Sequence, residues 1–317
     1  MRDIQKAPLI NKGCVKIGYR FKDNLQLFIL TLPCILLVFI FCYLPMFGVI
    51  IAFKDFNPNL GIFKSMWVGF ENFEFFFTSQ DAWRVLRNTV LYGMVFQITD
   101  LFFSLGLAIL LYNIKSKIAL KYYQTTFILP HFLSMVLVAY ITYALLNPVS
   151  GIFNRIITFL GGERVMWYSE PKFWPLILTG VQIWKNIGMK AIIYYATLIG
   201  IDESLFEAAR VDGATKWHEI RYIMLPEVSS VVCILLILGI GNLISGDFGL
   251  FYQIPMNIGV LYPTTDIINT YVFRGLQQAT NMGMTAAVGL FQSVISLILV
   301  VGSNLAVKKI NPANSLF

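Results

Sequence analysis

A chain of 317 residues, 57% hydrophobic and only 13% charged, is too apolar for a soluble domain. Its net charge of +7 does not point to nucleic acid: no RNA- or DNA-binding motif occurs, and the lysines and arginines gather at the ends of apolar stretches, where orientation signals and lipid headgroups account for them. Several of those stretches reach the ~20 residues that cross a hydrocarbon core as helix. The expected fold is therefore all-α, a polytopic helical membrane protein with six transmembrane helices.

Residues 1–26 form a basic tail (Arg2, Lys6, Lys12, Lys16, Arg20, Lys22), expected to hold a short surface helix. The apolar run that follows lacks a small-residue cleavage site and reads as an uncleaved first span over 27–53, with Pro33 and Pro45 inside it. A polar and aromatic loop occupies 54–87, where WVGFENFEFFF at 67–77 has the composition of an interfacial aromatic belt. The second span covers 88–112, a basic turn follows (Lys115, Lys117, Lys121), and the third covers 122–146 with Pro130 as a kink. Residues 147–171 read as a loop with one short helix, and a polar fourth span covers 173–199. After the stretch 202–226 come a fifth span over 226–250, an aromatic loop over 251–282, a sixth span over 283–307 and a short tail over 308–317.

The stretch 202–226 carries mixed charge between two apolar spans. It reads as a short helix, a break and a second short helix. Asp202 or Ser204 can cap the first helix, and Ser204 with Glu207 has the spacing of a capping box. Ala208 and Ala209 keep one side thin, and Gly213 supplies a left-handed position at which the chain reverses. Thr215 can cap the second helix, which carries Trp217, Ile220 and Ile223, and Pro226 suits the first turn of the next.

Lysine and arginine number 14 on the side that holds both termini, the 113–121 turn and this stretch, against 8 in the alternate loops. That bias places the termini and 202–226 in the cytoplasm.

Polar residues inside the spans are the candidates for a solute pathway: Trp184, Lys185, Asn186 and Lys190 on the fourth, Asn242 and Asp247 on the fifth, and Gln292 on the sixth, with Gln97 and Asp100 on the second. Lys185 reads as serving helix packing or gating rather than touching the solute, and Lys190 either snorkels towards the interface or meets an anionic group. The other polar residues equally suit hydrogen bonds between helices. Cys14, Cys34, Cys42 and Cys233 fit neither a disulfide framework nor a metal site, and His131 and His218 lack further ligands. No Walker A pattern and no nucleophile–base arrangement occurs, so the chain is expected to be neither an ATPase nor any other enzyme.

Glu207-Ala208-Ala209, Gly213, Ile223 and Leu225-Pro226, at these spacings, resemble the EAA loop of binding-protein-dependent ABC importer permeases. YLPMFGVIIAFKDFNP (43–58), WVGFENFEFFF (67–77), WRVLRNT (83–89), ILPHFLS (128–134) and QIWKNIG (182–188) are similar to the carbohydrate permeases of that group, most of all its oligosaccharide and polysaccharide branch in Gram-positive bacteria. The resemblance implies a type I importer permease in a bacterial plasma membrane. Glu207, Ala208, Ala209, Gly213, Trp217, Ile223, Leu225 and Pro226 would then form a coupling element against a cytoplasmic ATPase. The implied partners are a second homologous permease in a heterodimer, two copies of the ATPase, which hold ATP and Mg, and an extracellular solute-binding lipoprotein. The chain itself would hold no cofactor. Alternatives are an ABC permease for an osmolyte or amino acid, or an ion-coupled secondary transporter using Asp100 or Asp247, although no inverted repeat is apparent.

Overall fold

The computed structural model describes residues 25–278 and 282–310, which are almost entirely helical. The basic residues of the N-terminal tail, Cys14 and the end of the C-terminal tail lie outside the described residues. The chain falls into two units, residues 1–49 and 50–317.

In the first unit, α1 (Leu25–Val38) continues through a π turn at Phe39–Tyr43 into a tighter helical segment, Leu44–Phe53, which runs on into the second unit. The π turn has a local cause. Pro45 lacks an N–H, and its ring crowds the carbonyl four residues back; widening the preceding turn lets Leu44 N–H reach the Phe39 carbonyl instead.

In the second unit, a two-stranded hairpin, β1 (Lys54–Asp55) with β2 (Met66–Trp67), encloses α2 (Gly61–Lys64) and precedes α3 (Glu71–Thr78). The 33-residue α4 (Gln80–Tyr112) begins before the expected start at 88, because Ser79 caps it by accepting from Ala82 N–H. Then come α5 (Lys117–Ile128), α6 (Met135–Leu146), α7 (Ile152–Phe159) and α8 (Trp174–Leu198). Helices α9 (Glu203–Val211) and α10 (Lys216–Glu219) lead into α11 (Leu225–Gly241), followed by α12 (Phe248–Gln253), α13 (Tyr262–Thr265), α14 (Ile268–Gln278) and α15 (Met282–Ile310).

Among the described residues four helical segments are long and apolar enough to cross a membrane: Leu27–Phe53, Asp81–Tyr112, Lys216–Gly241 and Met282–Lys309. A fifth is the bent pair Lys117–Phe132 and Met135–Leu146. Helix α8 has the length, 25 residues, but Gln182, Lys185, Asn186 and Lys190 lower its hydropathy.

Two expected spans differ in form. The third is not one kinked helix over 122–146: it tightens to a 3-10 turn at Leu129–Phe132 and breaks at Leu133–Ser134, and its halves meet at 101°. The fifth stops at Gly241 rather than 250, where Asn242–Asp247 form a turn capped onto α12 by Asp247.

The break in the third span leaves its carbonyls short of N–H partners in an apolar layer, although Pro130's accepts from Leu133 N–H (3.2 Å), and Lys185 supplies the further donors. From the middle of α8 its Nζ donates to the carbonyls of Leu133 (2.6 Å), His131 (3.0 Å) and Pro130 (3.3 Å). Close approach makes this possible: a Cβ at Gly188 would overlap the Phe127 carbonyl oxygen, so only glycine lets α8 lie against α5 there. The most extensive helix pairing is α4 with α8. A second polar anchor joins the start of α4 to α13 and α14. Buried Asp266 accepts from Arg274 (2.6 and 2.7 Å), Thr270 (2.8 Å) and Arg84 (3.2 Å), and Asn88 Nδ2 donates to the Asp266 carbonyl (3.0 Å). Every lone pair of that carboxylate faces a donor, which is what makes a buried charge tolerable.

Lys185→Met keeps the stem and removes the donors. Losing a charge-assisted bond to buried carbonyls costs about 1.5–3 kcal/mol, so the detergent-purified variant should unfold at a lower temperature than the parent. An unchanged midpoint would mean that the broken span holds without Lys185.

Candidate functional site

Two regions gather the polar residues that packing alone does not require: the loop 202–226 at one end of α8, and a cavity between α4, α8 and α11.

The loop is more ordered than a polar connector. Asp202 caps α9, accepting from Ser204 N–H at 3.0 Å. Hydrogen bonds from Ser204 hold the Asp202 carboxyl below its ordinary range. Ser204 therefore sits inside the helix, and the expected Ser204–Glu207 capping box does not form. At the far end Gly213 has φ +80°, Ala214 N–H bonds the Ala209 carbonyl (2.9 Å) and Gly213 N–H bonds the Arg210 carbonyl (3.1 Å), the paired pattern of a Schellman cap. Thr215 caps α10 in a reciprocal box with His218 rather than with a carboxamide or carboxylate.

No break precedes Pro226. From Lys216 the helix runs to Gly241, widened into a π turn at Ile220–Met224, where Leu225 N–H reaches the Ile220 carbonyl. The chain thus meets Pro226 as it meets Pro45, after a leucine and a five-residue π turn.

One residue that sequence reasoning missed holds the two short helices together. Glu219 is only 2% exposed and accepts from Lys216 (2.6 Å) and from Arg210 Nε (3.0 Å) at the end of α9. Phe206 is buried against Tyr112, Leu198 and Met224, so α9 is pinned to α4, α8 and α11 by an aromatic side chain whose burial is worth about 2 kcal/mol. Ile223 packs at the edge of the same cluster. The opposite side of the loop is uncovered among the described residues: Glu207, Ala208, Leu205, Val211, Trp217, Leu225 and Pro226 are exposed, Trp217 at 63%. Ala209 is half-buried and contributes its carbonyl to the cap.

The cavity, about 230 Å³, brings together Lys190, Asn242 and Asp247 with Gln97, Asp100 and Gln182, walled by Tyr92, Phe96 and Phe251. Lys190 Nζ donates to Asp100 Oδ2 (2.5 Å), bridging α8 and α4. Asp100 Oδ1 and Gln182 Oε1 are buried and accept no hydrogen bond. Unsatisfied acceptors beside aromatic faces suit a solute rich in hydroxyl donors.

The other expected pathway residues lie elsewhere. Lys185 is committed to the broken span. Trp184 lines a separate apolar groove with Ile141, Leu145 and Phe153. Gln292 donates to Asn269 Oδ1 (3.0 Å), a bond between α15 and α14. Asn186 is half-buried on α8 and does not line the cavity. No group of three metal-ligating side chains occurs among the described residues.

The family model for the binding-protein-dependent transport system inner membrane component matches residues 101–312. Protein LplB of Bacillus subtilis (strain 168) is 36% identical over 309 residues, 96% of this chain and 95% of the relative. The polygalacturonan/rhamnogalacturonan transport system permease protein YteP of the same organism is 36% identical over 288 residues, 89% of this chain and 88% of its own. A crystal structure of a bacterial ABC transporter involved in the import of the acidic polysaccharide alginate matches with a TM-score of 0.85 at 30% identity, over 92% of this chain and 98% of the matched one. That of the alginate transporter in complex with an alginate pentasaccharide-bound periplasmic protein matches at 0.84 and 30%, over 92% and 96%.

Gly213→Val tests the loop geometry directly. A β-branched residue at φ +80° costs ~1–2 kcal/mol, a factor of about 5–30 in the opened population. Trypsin cleavage after Arg210 and Lys216 should quicken accordingly, while Gly213→Asn, which tolerates a left-handed backbone, should stay within about threefold of the parent. Equal cleavage of all three proteins would mean that the Schellman turn does not hold the loop.

Proposed function

Because the chain belongs to the inner membrane components of binding-protein-dependent transport systems, we propose that it forms half of the translocation pathway of an ABC importer for an oligosaccharide or polysaccharide. An extracellular solute-binding lipoprotein delivers the sugar, and a second, homologous permease completes the pathway. Two copies of a cytoplasmic ATPase, which hold ATP and Mg, supply the energy. The membrane part of this statement is the family's own property. The cargo, the partners and a cytoplasmic location for both termini are the proposal.

The carrying observation is the cavity between α4, α8 and α11. Asp100, Gln182, Asn242 and Asp247 offer more acceptors than donors, beside the faces of Tyr92, Phe96 and Phe251. A sugar presents the reverse, many hydroxyl donors on an apolar ring face. Alginate, an acidic polysaccharide, and polygalacturonan are the cargoes named for two of the similar proteins; their rings carry hydroxyls of this kind beside a carboxylate. The exposed side of 202–226 supports the coupling role. Trp217, Leu205 and Val211 form an apolar surface with Glu207 at its edge, and a rigid aromatic anchor with a charged rim is the composition of a protein interface. Asp100 is engaged by Lys190, which leaves the ion-coupled alternative without a free acid at that position.

Two results are expected from the transporter reconstituted in liposomes with ATP inside. The sugar-loaded binding protein should stimulate ATP hydrolysis, and sugar uptake should persist when an ionophore collapses ion gradients; uptake that stops with the ionophore and survives ATP depletion would sink the ABC reading. Trp217→Ala should weaken co-purification of the ATPase by about 30-fold, the ~2 kcal/mol of an interface tryptophan, while leaving the chain in the membrane. Glu207→Ala should lower sugar-stimulated hydrolysis in the same assay. Normal assembly and coupling in both variants would remove this loop from the mechanism.

A further inference from the structure

The connection between α6 and α8 carries a second concave site, at the opposite end of α8 from the loop 202–226. Asn154, buried on α7, joins that helix to the chain returning towards α8. Its Nδ2 donates to the carbonyls of Pro148 (3.1 Å) and Val165 (2.9 Å), and its Oδ1 accepts from Val165 N–H (3.0 Å) and Trp167 Nε1 (3.2 Å). Trp174 Nε1 then donates to the Trp167 carbonyl (2.8 Å), fixing the whole unit to the start of α8. The Asn154–Val165 bonds have a consequence for their neighbours in sequence. Arg155 and Arg164 are brought to the wall of one pocket of about 270 Å³, shared with Thr158, Phe159 and Val149.

The lining is chemically specific. Neither guanidinium is in an ion pair among the described residues, and no carboxylate lines the pocket; Glu163, next to Arg164, points no oxygen at either arginine within ion-pair distance. Phe159 is 89% exposed, an aromatic face that the fold itself leaves uncovered. Two arginines suit a carboxylate, which a guanidinium holds by two parallel hydrogen bonds. An aromatic face suits the apolar C–H side of a sugar ring, and Arg155, Phe159 and Arg164 stand exposed around the pocket, open to a ligand from solvent. We propose that Arg155, Arg164 and Phe159 form an entry subsite for a uronic-acid residue of an anionic oligosaccharide, separate from the cavity between α4, α8 and α11. The proposal rests on the reading of the chain as an oligosaccharide permease, and it specifies an acidic cargo.

The test compares tetragalacturonate with its fully methyl-esterified form, which has the same rings without the charge. Uptake of each is measured at subsaturating concentration in proteoliposomes that hold the complete transporter with its binding protein. Arg155→Gln with Arg164→Gln should lower uptake of the acid at least tenfold and leave the ester within twofold, so that ester uptake in the same vesicles reports on folding and assembly. Arg155→Lys with Arg164→Lys, which keeps the charge and loses the bidentate geometry, should fall between. An equal loss for acid and ester would overturn the proposal and assign the arginines to docking an acidic surface of the binding protein. Unchanged acid uptake in the glutamine variant would overturn it too. A parent transporter that imports neutral oligosaccharides but neither galacturonide would refute the acidic subsite and leave the permease reading standing. Import of no oligosaccharide of any kind would defeat the permease reading itself, and the subsite with it.

Discussion

A backbone carbonyl inside a bilayer has no water to turn to, so each one freed by a proline must find a partner within the protein. The chain meets this constraint in two ways. At Leu44-Pro45 and Leu225-Pro226 the preceding turn widens, and the helix continues with one bond of longer reach. Around Pro130 the helix instead tightens into a 3-10 turn and then breaks at Leu133–Ser134, where the chain turns through 101°, and the carbonyls of Pro130, His131 and Leu133 beside that break converge on the ammonium of Lys185. That one contact sets the distance between α5, α6 and α8, and with it the position of the helix that carries Lys190 and Gln182 into the cavity. A lysine of this kind is costly in an apolar layer. Here the cost is offset by carbonyls beside a break in the helix, where backbone N–H donors are few, so donor and acceptors each lessen the other's penalty.

The same economy governs the other buried charges. Asp266 is surrounded by donors from Arg84, Arg274 and Thr270, and Glu219 by Arg210 and Lys216. Lys190 and Asp100 pair as well, but they do so at the wall of a cavity, where one carboxylate oxygen and the neighbouring Gln182 oxygen accept nothing. Complete satisfaction marks the first two as structural. Incomplete satisfaction marks the third as the place where a bound molecule would improve the hydrogen bonding.

Local features were readable from the sequence because local chemistry sets them. Gly213 lies at a left-handed turn since glycine alone reaches φ +80° without strain, and its place after a short amphipathic helix is visible in residues 202–213. The apolar lengths likewise gave the helical segments, since hydropathy does not depend on neighbours. What escaped was partnership across distance. Lys185 and Lys190 are five residues apart on one polar helix, and nothing local says that one faces backbone carbonyls and the other a carboxylate. Asp266 looks like a loop residue until Arg84, far earlier in the chain, is placed beside it. Glu219 was half within reach: Lys216 precedes it by one helical turn, but Arg210 lies nine residues back, beyond the turn at Gly213. The Ser204–Glu207 box failed for a subtler reason: Asp202, two residues earlier, is the better cap and takes the helix start first.

The arrangement also constrains how a displacement of the loop 202–226 would reach the cavity. Phe206 of α9 and Met224 of the π turn lie in one close-packed cluster with Leu107 and Leu111 of α4, Tyr194 and Leu198 of α8, and Val228 of α11. Those three long helices are the ones that line the cavity further along, at Asp100, at Lys190 and Gln182, and around Gly239. Close-packed side chains transmit displacement instead of absorbing it. The Glu219 ion pairs tie α9 to α10, so a push on the exposed face of the loop would tend to move the two as a unit, together with the ends of α4, α8 and α11 that pack against them. The Lys190–Asp100 pair crosses the α4–α8 interface midway along that lever. A shift between the two helices would therefore change its separation, and with it one wall of the cavity.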